Sequence, residues 1–214
     1  MITENDILCL RKLITERTSE KRSRHILAVE EMALRIGKIY APEELVVLRT
    51  AALLHDVTKE LSTEEQINIC DRYGIALNDY DIYAPKTLHA ITAAACIPVE
   101  FEQYSNEKVI SAVRWHTTGK KGMSMIDKLI YLADYIDDSR TFEDCVKLRR
   151  FFFDFDFIGS TESEKLSHLR ETLIMSFDMT ISTLTNDGAL IAKDTIDARN
   201  ELVCERLKAN KQKG

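Results

Sequence analysis

The sequence predicts an all-α protein, a single domain of packed helices. Its 214 residues contain only 7 Gly and 3 Pro, too few to punctuate the many turns of an antiparallel β-architecture. Nearly every segment spaces its apolar residues at the 3.6-residue period of a helix rather than the two-residue period of a strand. No linker rich in Gly or Pro divides the chain, so we expect one core.

Helices are expected where a capping residue or a proline precedes apolar residues at helical spacing. Pro42 and the two glutamates after it open the third helix. The capping box STEE at residues 62–65 opens the fourth helix, which Gly74 ends. Pro85 lies in the first turn of a later helix that Pro98 stops. The expected helices lie at 1–19, 20–40, 42 to 56 or 59, 63–74, 85–97, 106–116, 125–138, 144–150, 163–184 and 194–207.

The C-terminal third is predicted to cover the core. The segment FFFDFDF at residues 151–157 alternates like a strand, but it is too short and isolated for a sheet, so we expect a turn that inserts aromatic rings into the core. The final stretch, KANKQKG, is expected to be a frayed basic tail. The predicted organisation is an N-terminal helix at 1–19, a core at 20–150 and a helical extension at 151–214 packed on that core.

Composition argues against several classes of protein. The formal charge of −6 and the pI of about 5.5 do not suit a protein that coats nucleic acid. The five cysteines are scattered and form no C-x-x-C pair, which argues against a disulfide framework or a zinc knuckle. The chain shows neither a signal peptide nor an apolar run that could span a bilayer. We expect a cytoplasmic protein with no membrane or nucleic-acid partner, and the apolar residues 172–184 leave a homodimer open.

Histidine and aspartate side chains interrupt the apolar faces of five predicted helices. His25 continues the apolar line of its helix at steps of four and three, and Asp134 follows two isoleucines at steps of four. The stretch AALLHD at residues 51–56 runs straight from apolar residues into a histidine and an aspartate. The inward-facing set comprises His25, His55, Asp56, His89, His116 and Asp134.

One inward histidine is more often a satisfied core residue than a ligand, but six such polar residues together cost a marginally stable domain too much unless they converge on a cation. A divalent metal fits, because imidazole and carboxylate are its ordinary ligands. His55 and Asp56 project about 100° apart on a helix, which allows Asp56 to bridge two metals. The chain has no H-E-x-x-H and no Glu-x-x-His, which excludes zincin and ferritin-like sites. His168 lies in a charged stretch and is expected on the solvated surface.

A lone histidine, a His-Asp pair and a later lone aspartate resemble the signature of the HD-domain metal-dependent phosphohydrolases. The runs ALLHDVTKE and AVRWHTTGKKGMSMIDKLIYLADYID are similar to the bacterial YqeK family of that group over roughly residues 20–150. Members of this family hydrolyse diadenosine tetraphosphate symmetrically to two ADP. The resemblance implies an HD-domain helical bundle with extra C-terminal helices, in which residues 20–150 form the phosphohydrolase core.

The resemblance also implies two divalent metals per chain, with iron expected and manganese, cobalt or zinc as alternatives. Lys120 stands where the family pattern leads us to expect Arg, and residues 137–140 are more acidic than the pattern. By position, one metal would be held by His25, His55, Asp56 and Asp134, and the other by Asp56, His89 and His116.

The expected chemistry is hydrolysis of a phosphoanhydride in a dinucleoside polyphosphate. Hydroxide held between the metals is expected to attack a central phosphorus, with ADP leaving. Asp56, His55 and Lys59 are the expected catalytic residues, since Lys59 follows His55 by one helical turn and so reaches a phosphate. The expected substrate contacts are Lys59, Thr117, Thr118, Lys120 and Arg140.

Two alternatives stay open at this point. The chain could be an HD-type phosphohydrolase of another nucleotide or of a guanosine polyphosphate, which substrate profiling distinguishes. It could also be a non-catalytic helical binding protein stabilised by metal, which predicts a coordination shell closed to water.

Overall fold

The computed structural model describes residues 2–211, and within that range it consists of helices and turns without a β-strand. The all-α prediction is therefore confirmed. Short 3-10 helices at Pro42–Glu44 and Pro85–Thr87 directly precede the third and the sixth α-helix, and another 3-10 helix lies at Glu102–Tyr104. The α-helices of the described chain are α1 (Glu4–Arg17), α2 (Glu20–Tyr40), α3 (Leu45–Leu54), α4 (Thr63–Arg72), α5 (Asp79–Tyr83), α6 (Leu88–Glu100), α7 (Glu107–Trp115), α8 (Met125–Ile136), α9 (Glu143–Phe153), α10 (Glu162–Asn186) and α11 (Lys193–Lys211).

Five helices surround the centre of the molecule. Helix α2 packs on α3 and α8, and α7 packs on α3, α6 and α8. The shared core contains Val29, Met32, Leu48, Ala52 and Ile130, all of which are almost completely buried. In this arrangement the N-terminal parts of α2 and α6 meet the C-terminal ends of α3, α7 and α8. Every inward-facing His and Asp lies at one of these ends.

The C-terminal helices α10 and α11 cover α8 and the turn after α7. The ring of Phe177 on α10 stacks on Tyr131 of α8, with 4.5 Å between ring centroids. Gly119, in the turn after α7, lets the Phe177 ring pack against that turn, because a Cβ at Gly119 would lie 2.7 Å from Cζ of Phe177. Its φ of +63° is also a backbone conformation that favours glycine.

Two predicted boundaries were wrong near the centre. Helix α3 ends at Leu54 rather than at Asp56 or Lys59, and the chain continues in tight turns such as the one closed by Lys59 N–H on the Asp56 carbonyl at 3.0 Å. Pro98 does not stop α6, which runs to Glu100. The proline lies in the last turn of α6, where residues 98–100 are exposed.

The aromatic segment at 151–157 forms the end of α9 and the turn after it, so only part of it is the predicted turn. Phe152 is fully buried there, as expected. His168, which was predicted to be a solvated surface residue, is instead half-buried. Its ring stacks on Phe155, with 4.2 Å between ring centroids, and its Nε2 lies 3.0 Å from the Phe152 carbonyl oxygen.

The C-terminal tail is more ordered than predicted. Helix α11 continues to Lys211, because its last turn carries good helix formers and lysines that suit the helix dipole. Residues 212–214, the rest of the predicted tail, lie outside the described range. Helix α5, a five-residue helix capped by Asn78, was not predicted at all. No helix among the described residues is long and apolar enough to cross a membrane.

Candidate metal centre

Asp56 lies at the middle of the cluster of inward-facing side chains. Its Oδ1 is 3.1 Å from Nε2 of His89 and 3.7 Å from Nε2 of His116. Its Oδ2 is 3.5 Å from Nε2 of His55 and 3.6 Å from Nε2 of His25. The two oxygens of one carboxylate therefore face two pairs of imidazole rings.

Asp134 completes the cluster from α8. Its Oδ1 lies 3.0 Å from Nε2 of His25 and 3.8 Å from Nε2 of His55. Two trios of ligand atoms lie within 4.8 Å of one another, one made by His25, His55 and Asp134 and the other by His55, Asp56 and His116. All six residues of the predicted set are thus brought to one place.

The rings are oriented as metal ligands normally are. Nδ1 of His55 lies 2.6 Å from the Ala52 carbonyl oxygen, and Nδ1 of His116 lies 2.7 Å from that of Val113. A ring whose Nδ1–H donates to a carbonyl presents the lone pair of Nε2. In the described chain Nε2 of His55 is buried and has no hydrogen-bond partner. Such lone pairs facing carboxylates repel them unless a cation lies between, so this donor set fits a divalent metal.

Burial controls the protonation of the two deepest rings. It lowers the pKa of His55 to about 4 and that of His89 to about 4, so both imidazoles are neutral at pH 7. The neutral form is the one that binds metals.

At Asp56, Asp134 and His25, by contrast, neighbouring groups outweigh the effect of burial on the pKa. Burial alone would raise the pKa of Asp56 and Asp134, but the neighbouring imidazoles and, at Asp134, the Arg140 guanidinium hold both pKa values well below the usual range. Burial alone would lower the pKa of His25, but its contacts with Asp134 and Asp137 raise that pKa to about 9. At pH 7, therefore, Asp56 and Asp134 are ionised and His25 is protonated.

A cavity of about 430 Å³ opens over the cluster, a volume within the range of small-molecule sites. Two arginines on its wall pair with the carboxylates: Arg22 Nη1 binds Asp56, and Arg140 Nη2 lies 2.5 Å from Oδ1 of Asp134. Nζ of Lys59 lies 3.1 Å from Nδ1 of His89. The residues lining the cavity are Lys21, Arg22, Arg24, His25, Asp56, Lys59, His89, Thr117, Asp134, Ser139, Arg140 and Phe142.

The expected substrate contacts divide into two groups. Lys59, Arg140 and Thr117 line the cavity, and Oγ1 of Thr117 is buried without a hydrogen-bond partner in the described chain. Thr118 and Lys120 are not on this wall. Thr118 is buried with its hydroxyl donating to the Gly119 carbonyl at 2.9 Å, and Nζ of Lys120 donates to Oγ of Ser111, also at 2.9 Å.

Sequence reasoning missed part of the polar surroundings. Arg22 lies one turn before His25 on α2, a spacing that indicates the same face. Asp137 follows Asp134 by three residues and is fully buried beside His25, with 3.4 Å between its Oδ2 and Nδ1 of the ring. Ser139 contacts the same nitrogen at 3.3 Å. The one-turn spacing of Arg22 from His25 was a usable signal, as was that of Asp137 from Asp134 in the helix predicted to reach residue 138. Ser139 lies beyond that predicted helix and gave no signal.

Comparison with known proteins agrees with this arrangement. The model of the HD domain matches residues 22–138, which include every residue of the cluster. The chain belongs to the HD-domain family. A solved structure described as a predicted HD superfamily hydrolase involved in NAD metabolism, from Clostridium acetobutylicum, is 33% identical with a TM-score of 0.81, and the match covers 96% of this chain and all of the other.

Three curated relatives of the HD-domain chain share one name. The symmetrical bis(5'-nucleosyl)-tetraphosphatase of Halalkalibacterium halodurans is 29% identical over 91% of this chain and 96% of its own length. The protein of the same name from Bacillus subtilis is 27% identical over 95% and 98%, respectively. The one from Staphylococcus aureus is 34% identical over 61% of this chain and 66% of its own. The similarity thus extends past the HD domain into the C-terminal helices.

Proposed function

We propose that this HD-domain protein hydrolyses diadenosine tetraphosphate symmetrically, giving two molecules of ADP. The observation that carries the proposal is the cluster of four histidines and two aspartates beneath a cavity whose wall bears five cationic side chains. Four members of the cluster line that cavity: His25, Asp56, His89 and Asp134. A polyanion of four phosphates needs such a wall, and cleavage at its centre needs the metal-ligating floor. The names of the relatives with near-full-length similarity support the same substrate.

The proposed metal ligands are those of the cluster, which would hold two divalent ions per chain, with Asp56 as a ligand of both. His25, His55 and Asp134 would hold one ion, and His89 and His116 the other. Iron is the first candidate, and manganese, cobalt and zinc are the alternatives. When bound, such ions activate water at neutral pH and neutralise charge on the phosphoryl oxygens.

The remaining groups bind and orient the substrate. Arg22 and Arg140 carry planar guanidinium groups that match phosphate oxygens in pairs. Lys59 adds a point charge beside His89. Burial lowers the pKa of Lys59, and the charges of Asp56 and Asp134 oppose that shift. Thr117 offers its unpartnered hydroxyl to a phosphate or to a water. Because ADP is a good leaving group near neutral pH, these residues need to supply position and charge rather than a proton.

The test is product analysis after mixing the metal-loaded protein with diadenosine tetraphosphate. ADP as the sole nucleotide product is expected, and Asp56→Asn should lower the rate by at least about 100-fold, since changes even one shell away from a metal cost 10–100-fold. The control is Asp138→Asn, because Asp138 is exposed and pairs with Arg35 at 2.9 Å outside the cavity. AMP with ATP would contradict symmetrical cleavage, and turnover of guanosine polyphosphates alone would point to another substrate.

A further inference from the structure

Phe142 is an exposed aromatic residue on the wall of the cavity over the metal centre. It is 71% exposed. Among the described residues that line this cavity it is the one apolar side chain. Across residues 2–211 its ring makes no contact with another aromatic ring or with a cation. A phenylalanine left in water forgoes the stabilisation that burial provides, so its position asks for an explanation.

The helix that follows does not supply that explanation. Phe142 is the N-cap of α9, and its carbonyl accepts a hydrogen bond from the Val146 N–H at 3.0 Å, but its ring satisfies none of the free N–H groups of the first turn. Seven other helices in the described part of the chain begin with a Ser, Thr or Asn whose side chain accepts such a bond. A polar residue would therefore serve α9 better than phenylalanine does.

The surroundings of Phe142 indicate what its ring contacts. Arg140, two residues earlier, reaches the floor of the cavity, and Lys21 and Arg24 lie on the same wall. A ligand that suits both features has a polyanionic part for the cations and a flat ring system for the phenylalanine. Nucleotides combine the two, and aromatic side chains are common platforms for bases.

We propose that the ring of Phe142 is the platform on which the base of one nucleotide half of the substrate stacks. The inference rests on the proposed function, because it names a part of the site that this function needs. A phenylalanine ring offers a face but no hydrogen-bonding group, so it favours the wide face of a purine over a pyrimidine without selecting between adenine and guanine.

The test compares binding of ADP and of inorganic pyrophosphate to the metal-loaded protein by isothermal titration calorimetry. Phe142→Ser should weaken ADP binding by roughly tenfold and leave pyrophosphate binding unchanged, since one stacked base is lost. The serine also provides an N-cap for α9, so the melting temperature should stay the same or rise. Phe142→Trp should retain ADP binding.

Tyr83→Ala is the matched control, because Tyr83 is 75% exposed and does not line the cavity. ADP binding by Phe142→Ser at the wild-type affinity would overturn the inference, as would an equal loss of pyrophosphate binding. Wild-type protein that binds no ADP would overturn it as well. Wild-type protein that binds ADP in a Phe142-dependent manner but does not cleave diadenosine tetraphosphate would contradict the proposed function and leave the stacking platform standing.

Discussion

At the residue scale, His25 is held on both of its ring nitrogens. Asp134 faces Nε2, whereas Nδ1 faces Asp137 and Ser139. Asp137 is fixed in turn, since its Oδ1 accepts a hydrogen bond from the Ser139 N–H at 2.8 Å. A carboxylate behind a ligating histidine sets the ring orientation and strengthens the ring as a ligand. In the proposed metal centre, Asp137 would thus be a positioning residue for His25.

Asp137→Asn should lower metal affinity by about 10–100-fold, as is usual when such a partner is changed. The rate at saturating metal should stay within a few-fold of the wild type, because the ligands themselves remain. Chelator competition measures the affinity, and Asp138→Asn, the exposed neighbour, is the control. Unchanged metal affinity, or a rate that saturating metal does not restore, would show that Asp137 has a different role.

The sequence was sufficient to predict which polar side chains interrupt an apolar helix face. It was not sufficient to predict the partners of lysine and arginine side chains. The inward set could be predicted because helix periodicity fixes the direction of His25 or Asp134 from its own neighbours. Lys120 shows the limit. Its Nζ donates to Ser111 and lies 3.7 Å from Oδ2 of Asp127 on α8. Local sequence spacing does not predict which residue on another helix such a flexible side chain will contact.

At the element scale, the end of α9 and the first half of α10 share an aromatic cluster that contains His168. The ring packs against Phe151, Phe152 and Phe155. Burial lowers the pKa of His168 below its usual value of 6.5, although the Phe152 carbonyl partly opposes the shift. A histidine with a lowered pKa in the folded state stabilises the fold above pH 6.5, and this contribution is lost as the pH falls below that value.

The free energy of unfolding should therefore fall more steeply between pH 7 and pH 5 in the wild type than in His168→Gln. Glutamine can still donate to the Phe152 carbonyl but does not titrate. Urea unfolding of metal-loaded protein at both pH values measures the difference, and using one metal state throughout keeps the contribution of the metal centre equal. Parallel pH profiles for the two proteins would contradict a neutral, half-buried His168.

Helix starts were easier to predict than helix ends. The capping box at residues 62–65 begins α4 as expected, because its hydrogen bonds are made within one turn. The end of α3 could not be predicted, since residues 55–61 turn away to bring His55, Asp56 and Lys59 to neighbours on other helices. Contacts with α2, α6 and α8 decide that path, and they are absent from the local sequence.

At the scale of the whole molecule, the fold brings the ends of five helices to one point and places three neighbouring carboxylates there. Burying Asp56, Asp134 and Asp137 together is costly in a domain of marginal stability. In this structure Arg22 and Arg140 offset part of that charge. We propose that two divalent ions balance the remaining negative charge and form the site of hydrolysis.

The decisive measurement is elemental analysis of tag-free protein after anaerobic reconstitution with iron or manganese and removal of excess ion. We predict about two metal ions per chain, as two-metal hydrolytic sites require. Protein that retains no metal under these conditions would contradict the claim and leave the convergence of four histidines and two aspartates without a physical explanation.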